Sequence, residues 1–122
     1  MTFRSMLRFG LVASGVASVM VLSTVAAKAQ SRDLWLYNGD SVTVEGYFLE
    51  EEGIYGWCDE DCYDLDLFLY DTAGNLVWQD TAADANPQVY APYEGNFIVE
   101  VTMPNCDHPE GCAVWVDSDA GF

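Results

Sequence analysis

The chain of 122 residues carries 20 acidic residues against four basic ones, a formal charge of −16 at neutral pH, and half of it is hydrophobic. So acidic a chain excludes nucleic acid and anionic membranes as partners, since both require basic patches, and it favours cations and cationic partners. Its length suits one small domain.

Arg4 and Arg8 precede an uncharged run from Leu11 to Val25, and Ala27-Lys28-Ala29 places small residues where a signal peptidase reads them. The run is short for the ~20 residues of a bilayer span. No stop-transfer charges follow it, and it lacks both a lipoprotein cysteine and paired arginines. These features predict a signal peptide over residues 1–29, cleaved after Ala29, with secretion into a periplasm or the medium. Of the basic residues only Arg32 then remains, and residues 30–122 form a 93-residue domain with a formal charge of −19.

The remainder reads as short strands. Gly39-Asp40 marks a turn, and Ser41 to Leu49 begins with strict alternation. Residues from about Glu50 to Tyr63 read as the longest irregular stretch. Leu65 to Asp71 alternates so that Leu65, Leu67 and Leu69 point one way while Asp64, Asp66, Phe68 and Tyr70 point the other. A turn at Gly74-Asn75 leads to a second strand from Leu76 to Asp80, with Gly74 or Asn75 in positive φ.

Ala82 to Pro87 reads as loop, Gln88 to Tyr90 as a brief strand and Ala91 to Gly95 as a turn. Gly95 to Met103 is the strongest strand, with Phe97, Val99 and Val101 on one face, and Ala113 to Val116 is its partner. After the leader no segment has a sustained helical period. The fold class is therefore all-β, a small antiparallel β-sandwich.

Cys58 and Cys62 enclose Asp59-Glu60-Asp61, and Cys106 and Cys112 enclose a second short loop. In an oxidising compartment an even count predicts two disulfides. Bridges between the two clusters would close longer loops and stabilise more, about 4 against about 2 kcal/mol in the chain-entropy model. Proximity in sequence favours the local pairs Cys58–Cys62 and Cys106–Cys112, and neither spacing suits a zinc knuckle.

The run from Asp64 to Asp71 with Gly74-Asn75-Leu76-Val77, followed by Pro92-Tyr93-Glu94-Gly95-Asn96-Phe97 and the Val99-Glu100-Val101 strand, resembles the bacterial pre-peptidase C-terminal (PPC) domain. Leu34 to Val44 is similar to the opening of that family, so the resemblance spans most of residues 34–116. It implies a jelly-roll-like β-sandwich that in some members binds calcium, collagen or polysaccharide. Such domains usually follow a secreted peptidase, whereas this chain carries none and adds two cysteine loops, as a stand-alone version would.

Catalysis finds little support. The one histidine, His108, lies between the second pair of cysteines, and Ser31, Ser41 and Ser118 lack the glycines of a nucleophile elbow. Carboxylates are plentiful, but a domain this small offers little cleft to tune a pair for glycoside hydrolysis. No catalytic residue is predicted, and a binding or interaction module is.

Its ligand stays open between two chemistries. Asp59, Asp61, Asp64, Asp66 and Asp71 supply the hard oxygens that a calcium ion requires, beside a loop that a disulfide would hold, although the EF-hand template fails at its glycine and its glutamate. Alternatively, the aromatic residues, Tyr55 and Trp57 among them, outnumber what a small core can absorb and would bind carbohydrate or another polymer. A purely structural envelope role, with the carboxylates as a solvated coat, is the third reading.

Overall fold

Eight antiparallel strands build two four-stranded sheets in the computed structural model, which describes residues 32–122. The expected signal peptide and its cleavage site lie outside the described residues. In chain order the strands are β1 (Arg32–Leu36), β2 (Ser41–Phe48), β3 (Gly53–Cys58), β4 (Cys62–Asp71), β5 (Leu76–Asp80), β6 (Gln88–Tyr90), β7 (Gly95–Cys106) and β8 (Cys112–Ser118). One sheet has the order β1-β8-β3-β6 and the other β2-β7-β4-β5. This is jelly-roll connectivity: the chain changes sheet at every link except the β4–β5 hairpin.

Alternation in the sequence determines which side chains enter the space between the sheets. Leu65, Leu67 and Leu69 of β4 and Phe97, Val99, Val101 and Met103 of β7 are buried from one sheet. Ile54 of β3, Val89 of β6, and Val114 and Val116 of β8 meet them from the other. The β4–β5 turn closes on Gly74 at φ 89°. There Asp71 accepts hydrogen bonds from the Ala73 and Asn75 amides at 3.0 and 2.8 Å, fixing the hairpin from within.

Two expectations fail within this frame. Ala113 to Val116 is not the partner of Gly95 to Met103: the link between β7 and β8 crosses between the sheets, so β7 lies between β2 and β4 while β8 lies between β1 and β3. The stretch from Glu50 to Tyr63 is not irregular throughout, because Gly53–Cys58 is a strand in the interior of its sheet, paired with β8 on one side and β6 on the other. Two glycines and an acidic flank hide it, and both glycines have packing reasons. A Cβ on Gly56 would approach Leu65 to 3.1 Å, and one on Gly53 would come within 3.0 Å of the Asp119 carboxylate.

Both disulfides are the local pairs, Cys58–Cys62 and Cys106–Cys112. Each clamps a place where the chain crosses between sheets. Cys62 and Cys106 are register partners on β4 and β7, so the two clamps sit side by side at one end of the sandwich.

At the other end, Glu52 is a buried carboxylate with its hydrogen bonds made. Its Oε1 accepts the Leu49 amide at 2.7 Å, while Oε2 accepts the Ser118 hydroxyl at 2.5 Å and the Ala120 amide at 3.0 Å. These bonds tie the β2–β3 turn, where Glu51 has φ 64°, to the end of β8. Beyond them Phe122 packs edge-on against Phe48 at 4.9 Å, over Gly46, where a Cβ would come within 2.7 Å of both rings.

Glu52→Ala would leave three donors without their acceptor in a largely dry site, so it is expected to destabilise the domain by about 2–4 kcal/mol in urea unfolding. A loss below about 0.5 kcal/mol, the usual size of a surface substitution, would show that this tie is dispensable.

Candidate functional site

Because Val114 and Val116 face the core, Trp115 and Asp117 of β8 face outward, and Ile54 and Gly56 likewise turn Tyr55 and Trp57 of β3 outward. The β3–β8 register places Trp57 opposite Trp115 and Tyr55 opposite Asp117. On the far side of β8, β1 sets Asp33 opposite Trp115 and Trp35 opposite Ala113. One outer face therefore carries Trp35, Tyr55, Trp57 and Trp115 with Asp33 and Asp117 among them.

The rings are ordered with respect to one another. Tyr55 and Trp57 lie 6.1 Å apart with planes 26° from parallel, and Trp57 and Trp115 lie 6.1 Å apart at 17°. Trp35 is fixed at the flank by its indole N–H, which donates to the Glu110 carbonyl at 2.8 Å. Gly111 beneath it has φ 96°, and a Cβ there would collide with the indole at 2.5 Å. The Tyr55 hydroxyl donates to the Ser118 carbonyl at 3.4 Å. Desolvation, with the charges of Asp117 and Asp119, holds its phenol above the usual range.

Tyr55 and Trp57, the expected ligand-binding pair, are thus brought together. Trp115 was legible in sequence only as a strand residue. Its own alternation with Val114 and Val116 signals that it faces outward, but its place beside Trp57 depends on a pairing that no local pattern reveals.

The five carboxylates expected to hold calcium do not form one site. Asp59 and Asp61 flank the start of β4 and Asp71 ends it, about 30 Å away along an extended strand. Asp71 is occupied by its own turn, and hydrogen bonds from Asn75 hold its carboxyl below the usual range. Asp59 accepts the Asp61 amide at 3.1 Å and the Ala113 amide at 2.8 Å. Among the described residues no three His, Cys, Asp or Glu side chains are grouped as a metal site.

Asp64 and Asp66 remain as a pair beside a β4–β7 irregularity, each with a buried Oδ1 that has no hydrogen-bond partner. Burial raises the Asp66 carboxyl to about 6, reinforced by Asp64, both as a charge and as an acceptor for the protonated form, and by the charges of Asp80 and Asp84. Asp80 and Asp84 themselves accept backbone amides: Ala82 and Gln88 donate to Asp80, and Asn86 to Asp84. Two free carboxylates are well short of the six to eight oxygens that surround calcium, in the usual coordination range.

His108 lies on the rim of an open cavity of about 470 Å³ with Tyr37, Asn38, Asn105, Asp107 and Pro109. Its Nδ1 accepts the Glu110 amide at 3.0 Å. No serine, threonine or free thiol lines this cavity. Comparison with protein-family models and with curated proteins finds no match for the chain. The likeness of residues 34–116 to the PPC domain accordingly rests on the strand and turn pattern alone.

The raised carboxyl gives a pH dependence of definite sign. With its folded value above its unfolded one, Asp66 binds a proton more tightly in the folded state, so its contribution to stability is full below the ordinary carboxylate range and is lost as pH rises towards 6. Asp66→Asn should therefore gain stability relative to the native protein as pH is raised from about 4 to about 6.5. Urea midpoints of the two proteins that move in parallel across that range would contradict this.

Proposed function

We propose that this protein is an exported, non-catalytic binding module that holds a polysaccharide against the outer face of its β1-β8-β3-β6 sheet. The observation that carries the reading is the alignment of Tyr55, Trp57 and Trp115, three near-parallel rings on adjacent interior strands with Trp35 beside them. Aromatic side chains combine a large apolar face with little conformational freedom, and they suit the flat apolar faces of sugar rings. Interior strands of a sheet make a rigid base for them, so little ordering accompanies binding.

Two further features support the reading. Trp35 and Trp57 are exposed on this face with Tyr55 and Trp115 half-buried among them, and such a group of aromatic side chains on one face of a small domain marks an interaction surface. Two disulfides and a sequence that begins like a secretory leader fit a protein that works outside the cytoplasm. Of the five carboxylates that the calcium reading enlisted, Asp59 and Asp71 act here as acceptors for backbone amides.

The test is retention of the disulfide-bonded protein on insoluble cellulose, chitin and chitosan. The native protein should be retained by at least one of them. Trp57→Ala and Trp115→Ala should each weaken that retention at least about tenfold, the loss expected for one stacked ring, with the unfolding midpoint little changed. Trp78→Ala, on an edge strand of the other sheet, should bind as the native protein does. Equal retention of all three variants would remove the aromatic face from the account.

A further inference from the structure

The aromatic face is charged as well as aromatic, and all its charges have one sign. Asp33 is exposed in the same cross-strand row as Trp115 and Trp57. Asp117 stands two residues along β8 from Trp115 and opposite Tyr55, and Asp119 follows at the end of that strand, donating its amide to the Gly53 carbonyl. The described residues contain one arginine and no lysine. That arginine, Arg32, lies opposite the buried Val116, directs its guanidinium over the Phe122 ring and donates to the Glu45 carbonyl, so it does not neutralise this face.

Resting on the polysaccharide reading, we infer that the polymer held here carries free amino groups, as a chain of glucosamine units does. An ammonium is attracted both by carboxylates and by the negative face of an indole, and the two attractions act on the same group when they share a row. Single exposed contacts of this kind are weak. A polymer with an amine on every unit repeats them along the face and gains by effective concentration. A neutral glycan would take nothing from Asp33 or Asp117, and an anionic one would be repelled.

A basic peptide would answer to the same charges, but the position of the row argues against it. Extended peptides bind sheets by adding to an edge, where amides and carbonyls are unpaired. Trp57 and Trp115 stand on β3 and β8, both of which are paired on each side within their sheet. They offer side-chain faces and no main-chain ladder. Rings that stack fit this surface better than a strand that pairs.

Calorimetric titration with hexamers of glucosamine, N-acetylglucosamine and glucose, and with hexa-arginine, tests the inference at about pH 6, where exposed carboxylates are ionised. Glucosamine hexamer should bind at least about tenfold more tightly than the two neutral hexamers. Asp33→Asn with Asp117→Asn should erase most of that preference while weak binding of the neutral hexamers persists, and Trp57→Ala should weaken all three sugars. The preference should shrink as sodium chloride rises from about 0.05 to about 0.5 M.

Equal or tighter binding of a neutral hexamer would overturn the charge selectivity and leave the polysaccharide reading standing. Binding of none of the sugars would overturn both. Hexa-arginine binding more tightly than glucosamine hexamer would assign the face to a protein partner, and glucosamine binding indifferent to Trp57→Ala would reduce it to diffuse charge attraction; either result refutes the inference.

Discussion

The candidate site depends on the register between β3 and β8. Side chains on a strand alternate faces, so a slip of one residue would carry Tyr55 and Trp57 into the core and bring Ile54 and Gly56 to the surface. Carboxylates fix the register at both ends. At one end Gly53 and Asp119 exchange backbone and side-chain bonds, while Glu52 accepts from Ser118 and Ala120. At the other, Asp59 accepts the Ala113 amide at 2.8 Å and donates its own amide to the Ala113 carbonyl. The rings occupy the stretch between these ties.

The same arrangement explains much of the acidic composition. With one arginine and no lysine among the described residues, the carboxylates have few cationic side chains to pair with, and the available donors are backbone amides. Asp40, Asp59, Asp71, Asp80, Asp84 and Glu52 all accept such amides, mostly at turns and strand ends. Asp64 and Asp66 depart from this pattern. Their buried orphan oxygens and the raised Asp66 carboxyl mark a place where acidity opposes folding.

Much of the fold is legible in the sequence because its signals are local. Alternation in Leu65–Leu69 and Phe97–Val101 identifies the core strands, and the Gly74-Asn75 turn sets the hairpin. The disulfides follow sequence proximity because each closes a short crossover between the sheets, although a chain-entropy argument alone would prefer longer loops. What is not legible is non-local. β3 contains two glycines that pack against Leu65 and Asp119, neighbours distant in sequence, so its strand character comes from β8 and β6 rather than from its own residues. The site follows the same rule: Tyr55 and Trp57 stand out by type, and Trp115 joins them through register. Density of carboxylates along the chain does not distinguish free oxygens from those already accepting amides, as Asp59 and Asp71 do.

The four tryptophans provide a direct measurement, since each contributes one indole N–H resonance and Trp78 stands on an edge strand of the other sheet, packed edge-on against Tyr90 at 5.6 Å. In a titration of isotope-labelled protein with glucosamine hexamer, the account predicts that the Trp57 and Trp115 indole signals shift together and saturate at one ligand concentration while that of Trp78 stays in place. Movement of the Trp78 signal with Trp57 and Trp115 stationary, or no movement of any of them, would contradict it.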